Sequence, residues 1–302
     1  VKCQKVLKWH TSRLHHVALT GDGRAISASS DNTLRVWDLL TGGCLKVLEG
    51  HGEGVRHVAL TGDGRAVSAS FDKTLRVWDL ETGECLEVLE GHNHWVLHVA
   101  LTDDGQAVSA SYDKTLRIWD LTTGQCLKVL EGHTDQVRHI ALTGDGRVVS
   151  ASEDGTLRIW ELATGQCLKV LLGHKSFVGH VALTGDGLAV SSYLDYTLRV
   201  WDLATGQCIE VCKKDSKEAA IWKSRCLAQQ DAGDPSWSYY NYNGPGYYMC
   251  SDKNGAVYPG VYNLGGGAPS GKQGIFFDKL LQPHILHLHG PGIDKPGSGG
   301  KA

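Results

Sequence analysis

Residues 50–79 read GHGEGVRHVALTGDGRAVSASFDKTLRVWD, and their pattern decides the fold. A short apolar run from Val55 to Leu60 ends at the turn Gly62-Asp63-Gly64. Residues 66–70 alternate apolar with small polar side chains until Asp72-Lys73 turns the chain. Leu75 and Val77 then alternate with Arg76 and Trp78, which is the two-residue period of a strand. Thr82-Gly83 makes a further turn, and residues 85–89 supply a fourth strand. One unit therefore holds four short strands joined by tight turns.

The unit is copied along the chain. Its tryptophan recurs as Trp37, Trp78, Trp119, Trp160 and Trp201, every 41 residues without an insertion. A fixed period of this size marks a repeat architecture, because a four-stranded sheet with two apolar faces must stack on neighbours to bury them. The Gly-His opening at 50–51 and the Trp-Asp close at 78–79 resemble the WD-repeat family, over roughly residues 1–211. The resemblance implies an all-β fold, a β-propeller of four-stranded antiparallel blades. Five WD-type blades are clear in the sequence, and divergent blades from the C-terminal part are expected to close the ring at about seven. Residues 1–7 (VKCQKVL) align with the fourth strand of later copies, so the chain opens on a spare outer strand. In the family such a strand completes the last blade and removes a sheet edge.

Composition divides the chain. All seven prolines and seven of the ten tyrosines lie beyond Lys213, where the period is lost. The expected organisation is propeller blades over 1–211, divergent blades or a small appended domain over 212–290, and a Gly/Pro-rich tail over 291–302. A net charge of −3 gives no electrostatic footprint for nucleic acid, and no apolar run is long enough to cross a bilayer. Neither nucleic acid nor membrane is therefore expected as a partner. Six of nine cysteines (Cys3, Cys44, Cys85, Cys126, Cys167, Cys208) keep the period and read as small buried hydrophobes of one strand.

Each copy carries His, Ser, Asp and Trp at fixed offsets. The sets are His10/Ser27/Asp31/Trp37, His51/Ser68/Asp72/Trp78, His92/Ser109/Asp113/Trp119, His133/Ser150/Asp154/Trp160 and His174/Ser191/Asp195/Trp201. Ser, His and Asp together invite a nucleophile reading, but an active site is not copied five times and no nucleophile elbow is present. The resemblance implies instead a buried hydrogen-bond network that pins each blade. A second histidine recurs as His16, His57, His98, His139 and His180, in a strand where the family usually has a small residue. Packing between blades against a local partner is the simpler account of that series. A channel-lining ring that binds an anion or metal, or responds to pH, is the other.

The differences between copies point to function. One variable site precedes the network Asp: Ser30, Phe71, Tyr112, Glu153 and Leu194. A second follows the network His and includes Arg13, Glu53, His94, Trp95, Asp135 and Phe177. The third is His15, Arg56, Leu97, Arg138 and Gly179. In a propeller all three map to one end of the ring, so these side chains are candidate contacts for a protein or peptide partner. The leading expectation is a non-catalytic recognition scaffold without cofactor or metal. Two alternatives stand beside it: a structural subunit that forms a homo-oligomer or filament by strand addition, and an effector with its activity in 213–302. Two signals in that segment are weak. Residues 266–273 (GGAPSGKQ) miss a phosphate loop by one residue, and His284, His287 and His289, with Cys250 and Asp252, lack the spacing of a zinc site.

Overall fold

The computed structural model describes residues 5–7, 9–174, 177–193 and 197–213, together with residues 217–218 and 221 and four strands nearer the C-terminus, for which the backbone alone is described. Five four-stranded antiparallel sheets follow one another, each with its strands in sequence order. The second sheet is Val55–Leu60, Arg65–Ser70, Leu75–Asp79 and Cys85–Leu89. Its turns use the residues that their backbone demands: Lys73 sits at φ 73° and Gly83 at φ 85°, in the left-handed region. At the last turn the Asp79 carboxylate accepts the backbone N–H groups of Glu81 and Thr82, at 2.7 and 2.8 Å. The Asp of the Trp-Asp pair thus closes a turn and takes no part in the histidine network.

Neighbouring sheets bury one another. Val67, Leu75, Val77 and Leu89 of the second sheet pack with Val96, Val99, Trp119 and Leu121 of the third. The same layer recurs between the third and fourth sheets and between the fourth and fifth. Trp78, Trp119, Trp160 and Trp201 each fill a space against the preceding sheet, while Trp37 packs with Leu7 of the N-terminal strand, and removing one would cost about 3–5 kcal/mol. The first strands of successive sheets (Leu14–Leu19, Val55–Leu60, Val96–Leu101, Val137–Leu142, Val178–Leu183) lie side by side.

Every first strand carries a β-bulge. The register slips between Val55 and His57, so Arg56 is an extra residue opposite its partner strand, and His15, Leu97, Arg138 and Gly179 occupy the same place in the other sheets. A bulge breaks the strict alternation of side chains and re-aims them. The third variable series of the sequence is this bulged position.

The N-terminal strand Lys5–Leu7 pairs antiparallel with Gln273–Phe277, which pairs in turn with Pro283–His287. Gly246–Ser251 and Val257–Tyr262 form a separate antiparallel pair. The periodic cysteines differ from expectation: Cys44, Cys85, Cys126 and Cys208 are half-buried and Cys167 is exposed, because the fourth strand is the outer edge of its sheet. The Cys85 thiol lies 3.6 Å from Arg76 Nη1. Among the described residues no helix is long and apolar enough to cross a membrane.

Candidate functional site

The copied polar set is assembled in the same way in sheet after sheet. In the third, Trp119 Nε1 lies 2.8 Å from Ser109 Oγ, His92 Nε2 lies 2.7 Å from the same oxygen, and His92 Nδ1 lies 2.7 Å from Asp113 Oδ2. Indole can only donate, so the Ser109 proton goes to His92 Nε2 and the imidazole proton sits on Nδ1, facing the carboxylate. Asp113 also accepts the N–H groups of Asn93 and Thr115 at 3.0 Å. Burial lowers the His92 pKa against the pull of Asp113, and the ring is neutral. Burial would raise Asp31, but the bonds from Thr33, the Thr11 N–H and His10 outweigh it and hold the carboxyl at about 2. His10, Ser27, Asp31 and Trp37, His51, Ser68, Asp72 and Trp78, and His133, Ser150, Asp154 and Trp160 repeat this geometry within 0.1 Å. In the fifth sheet His174 and Trp201 bond Ser191, while Asp195 lies outside the described residues. The serine hydroxyl is thus buried and committed inside a hydrogen-bond relay.

These repeats match the family described as WD domain, G-beta repeat, at residues 1–38, 42–79, 83–120, 124–161 and 165–202, more than half of the chain. The chain belongs to the WD-repeat family. No curated protein matches it. WD-repeat domains generally act as non-catalytic scaffolds for protein interactions, and the site to consider in this member is therefore a surface.

The variable positions of this WD-repeat protein meet. The backbone N–H of each described pre-Asp residue bonds the carbonyl of the loop after the network His: Ser30 to Arg13 at 2.7 Å, and Phe71 to Gly54, Tyr112 to Trp95 and Glu153 to Gln136 at 2.9 Å. That bond sets the first two variable series side by side within a repeat. Contacts across repeats then join them into a row. His15 accepts from Ser30 or donates to it at 2.6 Å, takes Arg56 Nη1 at 3.3 Å, and stands edge-on to Phe71 at 5.6 Å. With Nδ1 facing a guanidinium, His15 carries its proton on Nε2 and donates to Ser30. Burial first, then Arg56 and Arg13, push its pKa down to about 2.

Phe71 lies 4.9 Å from the Trp95 ring, and Trp95 lies 5.2 Å from Tyr112. His94 stacks on Tyr112 at 4.6 Å, and the Arg138 guanidinium sits 5.9 Å over the same ring while pairing with Glu153. Three repeats thus contribute rings to one continuous aromatic row, in edge-on and offset arrangements that rings prefer, and a fourth adds Arg138 and Glu153.

The row has a top and a foundation. Trp95 is 39% exposed and Phe177 41% exposed, and Glu53 is exposed, while Phe71, His94, Tyr112, Asp135, Arg13 and Glu153 are half-buried. Arg56, Leu97 and Arg138 are buried, at 5%, 4% and 7% exposure. The sequence takes these three as contacts, but they are buried, Arg56 against His15 and Arg138 against Tyr112 and Glu153. Leu194 lies outside the described residues, as do residues 266–272, Asp252 and His289; His284, His287 and Cys250 fall on strands described as backbone alone. Among the described residues no group of His, Cys, Asp and Glu is placed to hold a metal. The sequence places His15 in the third variable series, with Arg56 and Arg138, and the structure adds its bonds to Ser30 and Arg56.

Proposed function

We propose that this WD-repeat protein binds a protein or peptide across the row Phe71–Trp95–Tyr112, with His94 in the row and Arg13, Ser30, Glu53, Asp135, Glu153 and Phe177 as further contacts; Leu194, of the same variable series as Phe71, lies outside the described residues. The observation that carries the reading is that the positions where the copies differ touch one another. Side chains that vary by drift on independent loops would have no reason to interlock. Rings already stacked, over a buried Arg138 that pairs with Glu153, lose little freedom on binding, and preorganisation of this kind is what makes aromatic hot spots effective. The fitting partner carries an apolar or aromatic anchor that covers Trp95. A peptide library panned on the wild-type protein and counter-screened on Trp95→Ala tests this. Selected peptides should lose at least about tenfold in affinity for the variant; equal binding to both refutes the row as the site.

The same proposal includes the arrangement of the sheets as propeller blades, closed by C-terminal strands toward the expected total of about seven. Support comes from the side-by-side first strands and from the pairing of Lys5–Leu7 with Gln273–Phe277. Val6 and Phe276 are opposite one another in that pairing. Val6→Cys with Phe276→Cys should yield a crosslinked peptide pair by mass spectrometry under mild oxidation, and its absence counts against closure.

One observation favours self-assembly as a second reading. Every fourth strand exposes two aliphatic side chains, such as Leu45 and Val47 or Leu86 and Val88. Light scattering decides: a monomer at all concentrations removes the assembly reading and leaves the recognition reading intact.

A further inference from the structure

The second histidine series takes no part in the recognition row. His16, His57, His98, His139 and His180 come from five successive sheets, and their rings follow one another at centroid distances of 3.9, 3.9, 4.0 and 3.7 Å. Each is tilted by 33–47° to the next, so the five form a fan. All five are buried; His57 is 2% exposed. The rings pack between successive sheets, as the simpler sequence expectation has it, and their nearest partners are one another. Both ring nitrogens of His57, His98 and His139 are buried without a hydrogen bond. Such atoms are rare in folded proteins, since leaving them unpaired costs the full desolvation of the group. Here six of them lie together in the middle of one fan.

The charges around the fan select what fits. After burial itself, the groups that depress His57 are His16, His139, Arg56 and His180, and those that depress His98 are His57, His16, His180 and Arg56. For His139 they are His180, His98, His16 and Arg56, and for His16 the charge is again Arg56. Every one is cationic when charged, and no carboxylate stands among them. A metal ion would enter a field set by the buried Arg56, and no set of ligands among the described residues is spaced for one. An anion meets the opposite conditions: a fixed positive charge, neutral imidazole N–H donors from several directions, and little water to compete. Burial also limits its size. A phosphate carried on a protein or a lipid cannot reach rings so excluded from solvent, whereas a free ion can.

We propose that the fan of His57, His98 and His139, flanked by His16 and His180, is a binding site for a small free oxyanion of the phosphate or sulfate class, with Arg56 as its fixed countercharge. An arriving dianion reverses the electrostatic balance at the rings, so protons are taken up as it binds. Each proton taken up tightens binding about tenfold per unit fall in pH below the bound-state value.

Calorimetric titration of inorganic phosphate into the full chain tests this, at about pH 6.5 and about pH 7.5, in two buffers of different ionisation enthalpy and with chloride as control. Saturable binding that is several-fold tighter at the lower pH, with proton uptake revealed by the buffer dependence, is the expected result. His98→Phe keeps a ring in the stack and removes both nitrogens; its affinity should fall at least about tenfold. Should that variant not fold, phosphate-induced shifts of the imidazole nitrogen resonances in the wild-type protein give the same answer. No saturable binding up to about 10 mM, or unchanged affinity in a folded His98→Phe protein, or imidazole signals that phosphate leaves in place, would overturn the assignment.

Discussion

Acidification should unfold this protein in a narrow window set by its buried imidazoles. Burial, followed by the neighbouring cationic groups, holds His57, His98 and His139 well below the ordinary 6.5 and brings His16 down to about 3. The folded-state pKa is depressed, so the stability these groups contribute is complete above about pH 6.5 and is lost as pH falls toward their folded values. At pH 5.5 each of these rings, and His15 with them, is neutral in the native chain and about nine-tenths protonated in the unfolded one, so five rings give a slope of about 6 kcal/mol per pH unit. As pH falls from 6.5 the loss accumulates at that slope and becomes comparable to the whole stability of an ordinary domain. The carboxylates fall in a different window. Asp22 and Asp31, held at about 2, give up their contribution only below the ordinary carboxylate range. Urea unfolding followed by tryptophan fluorescence, in buffers free of phosphate and sulfate, measures the slope directly. The midpoint of acid unfolding should lie near about pH 5, and His98→Phe should reduce the slope by about 1.4 kcal/mol per pH unit. A stability that changes by less than about 1 kcal/mol per unit between pH 6.5 and 5 would refute neutral, buried rings.

Other perturbations separate the parts of the molecule. Ser109→Ala removes the acceptor of Trp119 Nε1 and the donor to His92 Nε2 together, leaving two buried groups unpaired. Chemical denaturation should show a loss of about 2–5 kcal/mol, with peptide binding retained in the folded fraction. Trp95→Ala removes a side chain at the surface of the row, so its melting temperature should shift by no more than about 2 °C while partner binding is lost, and the two are read by calorimetry and by binding titration. Gly91 sits at φ 149°, and a Cβ there would come 2.7 Å from Arg117 Nη1 and 3.4 Å from the Trp119 ring. Gly91→Ala should therefore cost about 1–3 kcal/mol in urea unfolding. Glu161 stands where the other repeats have Asp and takes the Thr164 hydroxyl at 2.6 Å, so the turn lacks the two N–H bonds that Asp79 accepts. Glu161→Asp should raise the melting temperature by about 1–2 °C.

Much of this protein was legible in its residues because its repeats are near copies. The 41-residue period, the alternation of Leu75–Asp79 and the Gly and Asp turns define four short strands, since each signal is local and is stated five times. Strand ends follow for the same reason: Val55–Leu60 and Cys85–Leu89 are the apolar runs between turns. Comparison of the copies also exposes the variable positions, which is how Phe71, Trp95 and Tyr112 are found without any second sequence.

The side of the sheet on which each residue lands is another matter. Pure alternation sends Arg56 and His57 to opposite faces, and only the bulge between Val55 and His57 decides that the first packs against His15 and the second into the fan. A bulge is a property of two strands held in register, and one strand's sequence does not contain it. The same holds for the imidazole contacts, which join residues 41 positions apart. Sequence alone determined the repeat and its four strands, which are short-range and periodic, and the family resemblance implied the polar network. Tertiary structure decided which buried groups go without partners and which variable side chains meet, because stacking one sheet on the next brings together atoms that no local pattern relates.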